Sequence, residues 1–203
     1  MFWDRMSGLS LLLAFVAILW VVEVVNLILG HRLNVYGLVP RTIEGLRGIP
    51  LSPLLHGGFG HLISNTFPLL ILGGLVAVRG QANFVGVTLF IVFVGGLALW
   101  VVGRPWPWDD QNLTHVGASG PVFGYFGYLV ARGWYERSIL AILVAVAVAV
   151  VFGSGILLGL LPTAPYISWE GHLCGLVAGA FIARLTRNRL RRPRTGQASG
   201  SKA

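Results

Sequence analysis

The residues of this chain that could do chemistry lie in three short polar patches between long apolar stretches. The patches occupy positions 61–65, 117–120 and 172–175 and read HLISN, GASG and HLCG. Ionisable or nucleophilic side chains are costly in apolar surroundings, so they mark function by default. A serine is a weak nucleophile until a base takes its proton, and a neutral histidine does this well near pH 7. The patches therefore predict nucleophilic catalysis, with Ser119 as nucleophile and His172 as general base.

A second polar pair is placed to assist such a serine. His61 and Asn65 are four residues apart, so both project from one face of a helix. Two side-chain donors beside the backbone N–H of Ser119 would form an oxyanion hole, which stabilises the charge on an attacked carbonyl oxygen. No carboxylate adjoins the histidines in the sequence. The pattern therefore predicts a Ser–His dyad and not a triad.

The elements that must position these patches are membrane-spanning helices. Hydrophobic residues make up 55% of the 203 residues and charged residues only 11%, against roughly 25% in soluble domains. A helix needs about 20 apolar residues to cross the hydrocarbon core. The sequence predicts an all-α integral membrane fold, a bundle of six transmembrane helices at positions 8–29, 57–78, 83–103, 117–134, 138–160 and 170–186.

Lysine and arginine counts set the expected orientation. With the N-terminus inside, eleven of the fifteen basic residues lie on the inner side and four on the outer side. The second, fourth and sixth helices then descend from the outer face, so all three patches fall at one depth just below it. This agreement favours catalysis over the alternatives that GASG is a helix-packing motif and that His61 and Asn65 are a buried polar pair.

The segments outside the helices differ in character. Residues 30–56 are too polar to span and too apolar for a free linker, so we expect a folded first loop in the membrane interface. Seven basic residues fall in the last twenty. A basic tail directly after an apolar span is more typical of a cytoplasmic anchor at anionic lipid than of a nucleic-acid-binding segment. We expect one domain over 1–186 and a basic, disordered cytoplasmic tail over 187–203.

In these motifs the chain resembles the rhomboid family of intramembrane serine proteases. The resemblance rests on the order of the motifs and on the helices that carry them: His61-x-x-x-Asn65, Gly117-x-Ser119-Gly120 and His172-x-x-Gly175-x-x-x-Gly179. It implies that Ser119 attacks the scissile carbonyl, with His172 as general base and then as general acid. It also implies that His61 and Asn65, with the N–H of Ser119, hold the oxyanion.

The resemblance also implies supporting residues. His56 matches a further histidine that the family has near its cavity, and Phe123 falls where the family often has an aromatic ring that stacks on the catalytic histidine. Many members carry a Trp-Arg pair in the first loop, whereas residues 30–56 contain no tryptophan. We expect Arg41 with Glu44 to organise this loop instead. Without an added cytoplasmic domain or a seventh helix, the chain resembles the minimal prokaryotic form.

The resulting hypothesis is a multi-pass serine endopeptidase, free of cofactor, that cuts transmembrane or juxtamembrane segments of membrane proteins. Its active site would open to the outer face of a bacterial plasma membrane. The rival hypothesis is a rhomboid-like protein without proteolytic activity that binds transmembrane segments. A small transporter would need buried charges, and only Glu23 offers one. Glu23 with Asn26 is more typical of support for the first loop.

The remaining polar residues favour simpler interpretations. Zinc bound by His56, His61, His172 and Asp109 is disfavoured, because the sequence has no His-Glu-x-x-His helix and no carboxylate beside the histidines to orient them. His115 is expected to be a loop residue. Cys174, the single cysteine, is expected to be a packing residue.

Overall fold

Long helices dominate the computed structural model, which describes residues 2–104, 114–163 and 167–187. They are α1 Phe2–Ile28, α2 Phe59–Ala77, α3 Gln81–Val102, α4 Ser119–Glu136, α5 Ile139–Gly159 and α6 Trp169–Leu185. Each helix overlaps one predicted apolar run, so the predicted positions are confirmed. α1 begins well before the expected residue 8. The reason is tertiary, because the carboxylate of Asp4 accepts the N–H of Gln81 at 3.0 Å and ties the start of α1 to the start of α3.

Four of these helices, α1, α2, α3 and α5, are long and apolar enough to cross a membrane. Length and composition alone do not confirm the predicted count of six, because α6 has only 17 residues and α4 is less apolar. α4 buries most of its side chains and carries Arg132, whose guanidinium pairs with Glu136 at 2.6 Å. A helix that packs against protein on most sides does not need the apolar surface of a helix that faces lipid.

α4 packs most closely on α6, and glycines permit the contact. A Cβ at Gly175 would collide with the carbonyl oxygen of Gly120, and a Cβ at Gly179 would collide with that of Gly124. Small residues at 175 and 179 therefore let the two helices approach closely. Gly120 differs, since a Cβ there would meet nothing within 4 Å and only its backbone takes part in the contact.

The loop between α1 and α2 folds into short helical turns, Arg32–Tyr36, Glu44–Arg47, Gly48–Leu51 and Ser52–Leu54. Backbone hydrogen bonds join Leu38 and His115 in both directions, at 3.0 and 2.8 Å. The N–H of Gly117 donates to the carbonyl of Ser52 at 2.9 Å. The first loop therefore holds the segment that leads into α4 and Ser119.

Arg41 anchors this loop to the end of α3. Its guanidinium donates to the carbonyl of Gly103 at 2.7 Å, whereas no ion pair joins it to Glu44 in the described part of the chain. Trp100 of α3 donates its Nε1–H to the carbonyl of Thr42 at 2.8 Å. The expectation that Arg41 organises the loop is confirmed, whereas its pairing with Glu44 is not, and Trp100 of α3 also holds the loop.

Asn26 of α1 supports the loop from below. Its Nδ2 donates to Oδ1 of Asn34 at 3.0 Å and to the carbonyl of His56 at 3.2 Å, and its Oδ1 accepts the N–H of Leu33 at 3.1 Å. Glu23 is fully buried one turn earlier, 3.4 Å from the amide of Asn26. The supporting role predicted for this pair is confirmed.

Candidate active site

Ser119 is the first residue of α4 and lines an open cavity. The cavity lies between the first loop, α3 and the starts of α4 and α6, and Gly117 and Gly120 also line it. The first N–H groups of a helix have no partner within the helix, and the helix dipole makes that end positive. The hydroxyl of Ser119 thus lies where the backbone favours developing negative charge.

His172 is held on the same side of α4 as Ser119. Its ring stacks on that of Phe123, with centroids 4.1 Å apart and planes inclined by 11°. Phe123 follows Ser119 by four residues, so both project from one face of α4. Nδ1 of His172 lies 2.7 Å from the carbonyl oxygen of Gly159. Since a carbonyl only accepts, Nδ1 carries the proton and Nε2 is the basic nitrogen.

Gly159, the last residue of α5, has a role that the sequence did not reveal. A Cβ there would lie 2.5 Å from Cζ of Phe123 and 3.2 Å from Nδ1 of His172. The carbonyl of Gly159 accepts a hydrogen bond from Nδ1–H of His172, and the missing side chain leaves room for the stacked rings. The only sequence signal was a glycine at a helix end, because the contact joins distant parts of the chain.

We predict that Gly159→Ala lowers the turnover of any reaction that uses His172 by about 10- to 100-fold, because its methyl group displaces the imidazole. The change should be measured as kcat against a cleaved reporter substrate, with thermal stability followed in parallel. Gly155→Ala is the matched control, since a Cβ at Gly155 meets nothing within 4 Å. Equal activity of the two variants would contradict this role of Gly159.

Asn65 and His61 lie beside the turn that precedes Ser119. A Cβ at Gly117 would lie 2.7 Å from Nε2 of His61 and 3.5 Å from Nδ2 of Asn65. In the part of the chain that the structure describes, Nδ2 of Asn65 is buried and has no hydrogen-bond partner. A buried donor without a partner is costly and calls for an explanation. An oxyanion held at this turn would satisfy it.

His61 presents a donor to the same turn. Its Nδ1 accepts a long hydrogen bond from the N–H of Gly57 at 3.5 Å. A nitrogen that accepts carries no proton, so the proton of the neutral ring is on Nε2. Nε2 is the atom next to Gly117. Nε2 of His61 is therefore a hydrogen-bond donor, whereas Nε2 of His172 is a base.

Gly117 is required by two features of this turn. Its φ of 122° lies in a region that favours glycine, and a side chain would meet the ring of His61. The turn therefore lies against the ring of His61 and the amide of Asn65. The supporting role expected of Gly117 is thus a backbone conformation and not only close packing.

His56 braces the turn from behind. It is fully buried, and its Nε2 accepts the N–H of Ala118 at 3.3 Å. Burial, followed by the effect of nearby His61, lowers the pKa of His56 to about 4. The neutral ring that accepts from Ala118 is therefore the form present near neutral pH.

This pKa predicts an acid sensitivity with a defined sign. Between pH 6.5 and about 4 the unfolded chain binds a proton at His56 that the folded chain does not, so stability falls as pH falls through this window. His56→Gln removes the titrating group and should flatten the dependence of the melting temperature on pH over this window. The measurement is thermal unfolding in detergent from pH 7 to 4. If the melting temperature of His56→Gln depends on pH as steeply as that of wild type, the prediction is wrong.

The structure places the residues predicted for the site on neighbouring elements. His172 stacks on Phe123, which lies one turn after Ser119 on α4, and His61 and Asn65 both lie next to Gly117. His115 was expected to be a simple loop residue, but it is only 5% exposed and lines the cavity beside Ser119. Cys174 is buried, as expected. Asp109 and positions 188–203 of the predicted tail lie outside the described residues.

Known proteins resemble this chain over most of its length. The family model described as the rhomboid domain matches residues 45–189, which include all three motifs. An uncharacterised protein of Mycobacterium tuberculosis is 38% identical over 199 residues, 97% of this chain and 82% of that protein. An uncharacterised protein of Mycobacterium leprae is 36% identical over 189 residues, 89% of this chain and 72% of that protein. A chloroplastic rhomboid-like protein of Arabidopsis thaliana is 39% identical over 94 residues, 44% of this chain and 31% of that protein.

Proposed function

The chain belongs to the rhomboid family, and from this premise we propose that it is an intramembrane serine endopeptidase. Ser119 is the nucleophile and His172 is the general base and then the general acid. His61 and Asn65, with the N–H of Ser119, form the oxyanion hole. The substrates are transmembrane or juxtamembrane segments of other membrane proteins, and no cofactor takes part.

The observation that carries this proposal is the unpartnered amide of Asn65. Nδ2 of Asn65 is buried beside Gly117, two residues before Ser119, and Nε2–H of His61 is directed to the same place. A buried donor without a partner is costly unless an acceptor arrives there. A tetrahedral intermediate on Ser119 supplies that acceptor, because its oxyanion forms next to the N–H of the attacking residue.

The chemistry follows from the assigned protonation states. Nε2 of His172 takes the proton of Ser119 as Oγ attacks the scissile carbonyl, and the oxyanion is held by the three donors. The protonated His172 then gives its proton to the leaving amine as the C–N bond breaks. Water adds to the acyl-enzyme with His172 again as base, which releases the new carboxylate and restores Ser119. The carbonyl of Gly159 orients the ring throughout, where a triad would use a carboxylate.

The membrane arrangement is part of the proposal. All six helices span, both termini are cytoplasmic, and the site opens to the outer face of a bacterial plasma membrane. The excess of basic residues on the inner segments supports this orientation. A stable substrate helix hides its carbonyls in hydrogen bonds, so substrates need a segment that unwinds easily near the outer face.

The test is cleavage in proteoliposomes. Purified protein is reconstituted with a single-pass reporter whose apolar segment carries small and helix-breaking residues, and the products are mapped by mass spectrometry. We expect a cut inside or beside the apolar segment on its outer side. An intact reporter across a panel of such segments, with reporter still bound to the protein, would favour the inactive, segment-binding alternative.

A further inference from the structure

A polar cluster joins the outer ends of three helices next to the candidate site. It consists of Arg104 just after α3, His115 just before α4, and Ser168 and Glu170 at the start of α6. The guanidinium of Arg104 pairs with the carboxylate of Glu170, and the ring of His115 bonds both Ser168 and the backbone of Arg104. Glu170 and His115 are buried, whereas the side chain of Arg104 is half-exposed, so the cluster reaches from the protein interior to the surface.

The hydrogen bonds of the cluster run in one direction. Nε2 of His115 lies 3.3 Å from the carbonyl oxygen of Arg104, so it carries the proton. Nδ1 of His115 then accepts from the hydroxyl of Ser168 at 2.6 Å. Oγ of Ser168 in turn accepts the N–H of Gly171 at 3.3 Å and caps α6. Burial lowers the pKa of His115, which favours the neutral ring that this chain of bonds requires.

The hydrogen bond between His115 and Ser168, called the bridge below, connects the segment before Ser119 to the segment before His172. His115 precedes Ser119 by four residues, and Ser168 precedes His172 by four. The covalent path from His115 to Ser168 is long, because it runs through α4 and α5. The backbone of His115 also forms two hydrogen bonds with Leu38, so the first loop holds the His115 end of the bridge.

We propose that His115 and Ser168 are positioning residues that hold the first turn of α6, and with it His172, in register with Ser119. Neither residue needs to touch the reacting atoms. This inference rests on the proposed function, because register matters only if Ser119 and His172 react as a pair. A displacement of about 1 Å between reacting groups costs up to roughly 10²-fold in rate.

His115→Ala is the discriminating variant. It removes the bridge and leaves Ser168 free to cap α6 through Gly171. We expect kcat to fall by about 10- to 100-fold with KM unchanged, and the rate of Ser119 labelling by a fluorophosphonate to fall by the same factor. His115→Gln keeps one donor and one acceptor and should recover most of the loss. Ser154→Ala, an exposed position on α5, is the control and should match wild type.

Three outcomes would overturn the proposal. His115→Ala with wild-type kcat would show that the bridge is not needed. A raised KM with unchanged labelling would show that His115 contacts substrate in the cavity. A loss of activity that only follows the loss of folded protein, with wild-type kcat per folded molecule of His115→Ala, would show a purely structural role. If wild type itself neither cleaves nor labels, the proposed function fails and the positioning role fails with it.

Discussion

Replacing Ser119 by alanine, His172 by alanine, or both together is expected to lower cleavage by about the same factor, on the order of 10⁴-fold or more. The serine and the histidine act as a unit, so the loss of either one removes the activation of the nucleophile. Stacking on Phe123 and the bond to Gly159 hold His172 for this task and no other residue described here takes its place. The three variants should therefore be equally inactive.

The measurement is single-turnover cleavage of a reporter in proteoliposomes. Ser154→Ala is the matched control for Ser119→Ala, because it makes the same change on an exposed face of α5. All variants should keep the melting temperature of wild type within the scatter of the assay. Losses that add up in the double variant would mean that Ser119 and His172 act separately, contrary to the dyad.

Gly117→Ala is expected to reduce kcat by about 10²- to 10³-fold, the cost of losing an oxyanion-hole donor. A Cβ at this position would lie 2.7 Å from the ring of His61, and the φ of 122° is strained for alanine. The turn must therefore move, and the N–H of Ser119 moves with it. The hydroxyl of Ser119 and its base remain, so some activity should survive.

This effect is separated from general damage by a neighbouring glycine. Gly60→Ala makes the same change next to His61 on α2, where a Cβ meets nothing within 4 Å. We expect wild-type kcat for Gly60→Ala and a large loss for Gly117→Ala, at comparable melting temperatures. The oxyanion assignment would be contradicted by a Gly117→Ala enzyme that turns over normally.

Most of the helix positions could be predicted from hydropathy, because hydropathy gives the length of each apolar run. The predicted run 57–78 corresponds to Phe59–Ala77, and 138–160 corresponds to Ile139–Gly159. Hydropathy was less informative for α4 and α6, which face protein and contain charged residues. The early start of α1 depends on Asp4 meeting Gln81, a contact between residues far apart in the chain.

For the candidate site, too, some residues could be predicted from the sequence and others could not. Residue type and spacing pointed to Ser119, His172, His61 and Asn65, because nucleophile, base and donors are recognisable by their chemistry. The acceptor for His172 is a backbone carbonyl, that of Gly159, which any residue type would provide. The partner of His115 is Ser168, 53 residues away, and no local pattern links them. Such partners become visible only when the helices are packed.

The most direct test of the central claim is labelling of the detergent-solubilised protein by a fluorophosphonate, with wild type beside Ser119→Ala and His172→Ala. The account predicts that only wild type is labelled and that the adduct maps to Ser119, because Nε2 of His172 activates that hydroxyl. Folded wild-type protein that stays unlabelled under conditions that label an active rhomboid protease would contradict it. So would labelling that persists in Ser119→Ala.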